Sequence, residues 1–129
     1  MILGFDPGRD KCGVAVMDSD RNILYHQVVV ADEAISTIQE LITRFQIELL
    51  VMGNLTTSKT WHQQLSSTLE GVPIILVDEK NSTLEARDRY WQMYPAQGLK
   101  KFVPQGLRVP PRPIDDIVAI LLIERYLLI

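Results

Sequence analysis

The first eighteen residues restrict the fold most. Ile2 to Phe5 is a short apolar run, Asp6 closes it, Pro7 and Gly8 turn the chain, and Gly13 to Met17 resumes an apolar run of strand length. Two strand-like runs bounded by Gly, Pro and Asp read as a hairpin. An acid therefore stands at the end of a strand expected to be central, and Gly8 is expected to leave room for a ligand backbone or phosphate. Two further acidic spots, Asp78-Glu79 and Asp115-Asp116, follow an apolar run and open a helix. The expectation is that folding brings the three places together.

Asn22 to Val30 reads as a third strand, so the chain opens as an antiparallel meander. From Asp32 onwards Ala34, Ile35, Ile38, Leu41, Ile42 and Phe45 recur at helical spacing. Glu48 to Gly53 is a continuous apolar run, as expected of a strand buried on both faces, and Pro73 to Val77 reads the same way. Ser58 to Glu70 is a helix with Gly71 as its stop. Ser82-Thr-Leu-Glu85 has the form of a capping box starting a helix that ends before Pro95. Ala96 to Pro113 has no periodicity and reads as a long loop, which in a compact domain is functional or disordered. Ile114 to Leu128 closes the chain as a helix. Helical crossovers make the later strands parallel to the first. The expected fold is thus α/β, a five-stranded mixed sheet with helices on both faces, in one domain over residues 1–129.

In such sheets ligands bind beyond the carboxyl ends of the strands, where Asp6 and Glu79 fall. Asp115 would add a third carboxylate from a helix start. Carboxylates on rigid supports suit a hard divalent cation such as Mg²⁺, and two such ions can serve an in-line displacement at phosphorus. With two His and one Cys in the chain, a zinc site is poorly supplied. Each acid also has a plainer role: Asp6 as a turn residue, Glu79 as an exposed residue before a helix, Asp115 or Asp116 as an N-terminal helix charge. His26 and His62 read as a strand and a surface histidine, and Trp61, Tyr90, Trp91 and Tyr94 as core or interface.

Net charge is −3, unlike many basic nucleic-acid modules. The segment from Lys80 to Arg112 is nevertheless positive, with seven Lys and Arg against Glu85 and Asp88. An anionic partner would meet that part. The single cysteine excludes an intramolecular disulfide. No leader-like segment or membrane span is evident, so a cytoplasmic location is expected.

Asp6-Pro-Gly-Arg-Asp-Lys-Cys-Gly-Val-Ala-Val16 resembles the opening strand–turn–strand of the RuvC-like branch of the ribonuclease H-like superfamily. Val51-Met-Gly53, Asp78-Glu79-Lys80 with Ser82-Thr83 and Glu85-Ala86, and Asp115-Asp116-Ile-Val-Ala119 running to Leu127 are similar, in the same order, to motifs of the YqgF family. That family is a Holliday junction resolvase group associated with maturation of the 5′ end of pre-16S ribosomal RNA. The resemblance implies a Mg²⁺- or Mn²⁺-dependent endonuclease for structured RNA or branched DNA, leaving 5′-phosphate and 3′-hydroxyl ends. It carries the catalytic carboxylates onto Asp6, Glu79 and Asp115. Asp116 stands where the family usually has a basic residue, as a fourth ligand or a helix-start charge. Lys11, Lys80, Arg87, Lys100, Lys101 and Arg108 are the candidate phosphate contacts.

Three departures bear on substrate choice. Lys80 replaces the usual arginine and loses bidentate phosphate geometry. The 96–113 segment is longer and richer in proline than the family's link, and the polar segment after the fourth strand is reduced to Asn54–Lys59. A junction resolvase would act as a homodimer to cut two symmetric strands, whereas an RNA-processing enzyme need not. Two other classes compete: a non-catalytic binding module that kept the fold, and an actin-like ATPase relative, which at this length lacks a second domain to close around ATP.

Overall fold

Alternation along each strand sorts the side chains of one sheet onto two faces, and the helices follow that sorting. The computed structural model describes residues 1–54 and 57–128. Its strands are β1 (Ile2–Asp6), β2 (Lys11–Met17), β3 (Ile23–Val30), β4 (Leu49–Gly53) and β5 (Ile74–Val77). Its helices are α1 (Ala34–Phe45), α2 (Ser58–Thr68), α3 (Ser82–Met93) and α4 (Asp115–Leu127). The sheet order is β3-β2-β1-β4-β5, so β1 is central. β1, β2 and β3 pair antiparallel, and β4 and β5 join β1 in parallel. The expected mixed sheet is the one that forms.

Leu3 and Phe5 of β1, Val14 and Val16 of β2, and Leu50 and Met52 of β4 point to one face, where they pack with Ile38 and Leu41 of α1 and Leu65 of α2. Phe5 meets the Trp61 ring edge-on at 5.2 Å. The residues between them, Ala15 and Met17 of β2 and Val51 of β4, face α3 and α4, against Tyr90, Trp91, Ile117, Ile120 and Ile123. The aromatic residues of α2 and α3 are therefore largely core, as expected.

The α4 side of the sheet is lined with small residues, and this sets how close that helix comes. A Cβ on Gly4 would strike the Ala119 carbonyl and Ile123, and one on Gly13 would strike the Asp115 carbonyl. Gly13 is the strand partner of Asp6. The glycine that admits the start of α4 is thus level with the acid at the end of β1.

The structure departs from the sequence reading in several places. β5 is an outer strand, not one buried on both faces: Ile75 and Leu76 are 37% and 49% exposed. An apolar run looks the same at a sheet's centre and at its edge, because the neighbour count is not written locally. Ser82 does not cap α3; left-handed Asn81 (φ 62°) precedes the helix without a side-chain cap bond. Glu85 instead pairs with Arg125 at 3.0 Å. Helix α1 starts at Ala34, after a single 3₁₀ turn over Ala31–Glu33. Gly8 does not open space for a ligand, since the Lys11 carbonyl occupies the place of its missing Cβ.

The 96–113 segment contains two short 3₁₀ turns, Gly98–Phe102 and Gln105–Leu107, and no strand or α-helix. Arg108 organises it, donating to the carbonyls of Lys100 (3.1 Å), Val103 (2.8 Å) and Lys101 (3.2 Å). Leu55 and Thr56, within the polar segment Asn54–Lys59, lie outside the described residues.

Candidate active site

Asp6 leaves β1 on the face that meets α4, because Leu3 and Phe5 fix the opposite parity in the core. Glu79 comes from the turn just after β5, whose last residue Val77 pairs with Gly53 of β4. A Cβ on Gly53 would fall on the Glu79 carboxylate. The missing side chain on β4 is therefore the space into which Glu79 folds over the strand ends. Asp115 begins α4, admitted by Gly13.

The ionisation of Asp6 responds to both of the other acids. Burial pushes the Asp6 carboxyl up to about 9, and it is helped by a hydrogen bond to Glu79 and the charges of Glu79 and Asp115. Burial also raises Asp115, with Asp116 adding to the rise and Lys11 opposing it. Cys12 lies close enough for its thiol to be raised by burial, with Asp6 and Asp115 as smaller contributors.

Glu79 is 3% exposed, and neither of its carboxylate oxygens meets a donor group among the described residues. What it faces is Asp6, and two carboxylates form a hydrogen bond only when one of them carries a proton. Desolvated carboxylates at such range are costly unless a proton or a cation neutralises them. The oxygen-only donor set and the unsatisfied buried carboxylate fit a hard divalent cation. Among the described residues no three His, Cys, Asp or Glu side chains are gathered closely enough to grip an ion together. Asp6 and Glu79 form the close pair, and Asp115 stands at its margin.

Asp116 is tied into the fold by side-chain partners. It is buried at 2% exposure, and its Oδ1 accepts from Arg112 at 2.9 Å. Its Oδ2 accepts from Arg112 at 3.2 Å and lies 2.6 Å from Nδ1 of His26. Tyr94 reaches the other ring nitrogen of His26 at 3.3 Å, and Arg112 stacks 5.4 Å from Tyr90 and 5.9 Å from Tyr94. Sequence reading gave His26 no partner. Its signal was register: His26 is opposite Ala15, on the α4 face of the sheet.

Of the candidate phosphate contacts, Lys11, Lys80, Arg87, Lys100 and Lys101 have exposed side chains. Arg108 is partly engaged within its own segment, its Nε and Nη2 donating to three carbonyls, and it lies 5.6 Å from the Trp91 ring.

Residues 1–128 match the family described as RuvX, Holliday junction resolvase. The chain belongs to the RuvX family. Two relatives from strains of Coxiella burnetii, named provisionally as pre-16S rRNA nuclease, are 28% identical over 143 residues. Each alignment covers 98% of this chain and 92% of the relative. Among solved structures, T. thermophilus RuvC in complex with a Holliday junction substrate matches with a TM-score of 0.57 at 20% identity, covering 94% of this chain and 88% of that one. Fowlpox virus resolvase, in complex with substrate Holliday junction DNA, matches with a TM-score of 0.66 at 11% identity, covering 97% and 95%. These two share the fold, which is ribonuclease H-like. Family and relatives make this RuvX member a nuclease, a hydrolase of phosphodiester bonds.

Proposed function

We propose that the chain is a Mg²⁺- or Mn²⁺-dependent endonuclease of structured nucleic acid, cutting either the 5′ segment of pre-16S ribosomal RNA or a four-way DNA junction. The observation that carries this is Glu79, buried with both carboxylate oxygens unsatisfied and set against Asp6 beyond the strand ends. Asp6 and Glu79 would hold the ion, with Asp115 completing the set from the start of α4. A bound divalent ion supplies a polarised water and stabilisation of the charge developing on phosphate.

The chain's own residues do the rest. Asp6, whose carboxyl holds its proton tightly in the metal-free chain, would with Glu79 supply the carboxylates that hold the ion. The Gly53 gap and the buried sheet floor keep Glu79 out of bulk water. Lys11, next to Asp115 in charge terms, and exposed Lys80, Arg87, Lys100 and Lys101 provide phosphate contacts. These would set the register of the substrate strand without reading its sequence. The segment 96–113 contains four Lys and Arg and no acid, which supports an anionic partner on that side.

The test is a cleavage assay with Mg²⁺ and with Mn²⁺ on a precursor ribosomal RNA 5′ segment and on a synthetic four-way junction. Wild type is expected to cut one of them and Asp6→Asn neither, and the substrate cut assigns RNA processing or resolution. Salt-sensitive binding by the wild type without cleavage of either substrate would replace this reading with that of a non-catalytic binding module.

A further inference from the structure

Glu79 lies in a turn, yet the site needs its carboxylate fixed against Asp6. The turn is held partly from within and from Asn54, the residue after β4. The Lys80 N–H donates to Asp78 Oδ1 at 2.9 Å, the Ser82 N–H to the Glu79 carbonyl at 2.9 Å, and the Glu79 N–H to Asn54 Oδ1 at 3.3 Å. Arg125, in the last turn of α4, adds a grip from the other side. Its Nη1 donates to the Asp78 carbonyl at 2.6 Å and its Nη2 to the Lys80 carbonyl at 2.8 Å. One planar guanidinium therefore brackets Glu79, holding the carbonyl before it and the carbonyl after it. A lysine ammonium could not span both in the same fixed fork. The Arg125–Glu85 pair at 3.0 Å orients the guanidinium from α3.

We propose that Arg125 is a positioning residue of the nuclease site, holding Glu79 in register with Asp6 through the backbone on either side of it. The proposal rests on the carboxylate reading of the site. It links two ends of one helix: α4 brings Asp115 to the site at its start and fixes the Glu79 turn near its end. The pair Arg89–Glu124, at 3.5 Å, also joins α3 to α4, and neither partner bonds to the turn. It serves as the control for helix pairing alone.

The experiment compares Arg125→Gln, Arg125→Lys and Arg89→Gln with wild type by three readouts. These are amide hydrogen exchange at residues 79–82, Mn²⁺ affinity by calorimetry, and cleavage kinetics. Arg125→Gln is expected to speed exchange at 79–82 and to weaken Mn²⁺ binding about tenfold or more, the scale of lost outer-shell support. It is also expected to lower kcat with KM for nucleic acid held within about twofold. Arg125→Lys should fall between Arg125→Gln and wild type, and it carries the test if Arg125→Gln does not fold. Arg89→Gln should leave all three readouts at wild-type values. Wild-type exchange at 79–82 in both Arg125 variants, or equal losses in Arg89→Gln, would overturn the proposal. Should wild type bind no Mn²⁺, the carboxylate reading fails, and exchange at 79–82 alone decides whether Arg125 holds the turn.

Discussion

Asp6 is the group whose ionisation the fold opposes. Its carboxyl moves from 3.8 to about 9, first because it is buried and next because Glu79 stands against it. The folded chain thus holds this proton more tightly than the unfolded chain does. The resulting stabilisation is complete below the unfolded value, and it is lost progressively as pH rises through the folded value near 9. Metal-free wild type is expected to melt lower at pH 8.5 than at pH 6. Asp6→Asn removes the ionisation, so its melting temperature should change less between the two pH values and exceed wild type at pH 8.5, by roughly 3–8 °C. Saturating Mn²⁺ should raise the wild-type value at pH 8.5 by mass action and leave Asp6→Asn almost unmoved. Calorimetric melts of both proteins at both pH values check this, and an equal pH slope in the two would show that Asp6 does not carry the burden.

Helix α4 bears Asp115, Asp116 and Arg125, and what they do was only partly legible in the sequence. The parity of β1 and β2, the apolar run of β4 and the helical spacing of α1 and α4 are local patterns, and they gave the elements and the right ends of the strands. Asp6 and Glu79 could be named because an acid at the end of an apolar run is visible without coordinates, and Asp115 because it opens an apolar helix. The edge position of β5 and the engagement of Arg125 by distant carbonyls depend on contacts between segments far apart in sequence. The same holds for Asp116. Read from sequence it was a fourth ligand or a helix-start charge; folded, it ties α4 to β3 through His26 and to the preceding segment through Arg112. Asp116→Asn keeps the shape and loses the charge that both partners meet, so it is expected to lower stability by about 1–3 kcal/mol while leaving Mn²⁺ affinity within about twofold. Asp115→Asn should do the reverse, weakening Mn²⁺ without loss of stability, since burial already disfavours its charge. Thermal melts paired with Mn²⁺ titrations separate the two. Loss of metal binding in Asp116→Asn as large as in Asp115→Asn would make Asp116 a ligand.

At the scale of the molecule the question is how a chain of net charge −3 holds a polyanion near a cluster of carboxylates. The answer lies in where free cations remain after folding. Arg112 is neutralised by Asp116, Arg125 and Arg89 by acids of α3 and α4, and Arg108 is taken up by carbonyls. Lys100 and Lys101 are exposed in a segment without an acid, with exposed Leu99 and Phe102 beside them. Arg108 holds both of their carbonyls, so this stretch presents its charges from a fixed backbone and should reach phosphates away from the scissile bond. Replacing both lysines by alanine is therefore expected to weaken binding. It should also flatten the dependence of log affinity on log salt by about 1.8 for duplex arms or about 1.4 for single strands, the counterion release of two phosphate contacts. Because the charges act on binding and not on the phosphate under attack, kcat at saturating substrate should stay within about twofold of wild type. Fluorescence anisotropy over a salt series, run beside single-turnover cleavage, measures both quantities. An unchanged salt slope would move the substrate path away from this segment, towards the cations nearer the carboxylates, Lys11, Lys80 and Arg87.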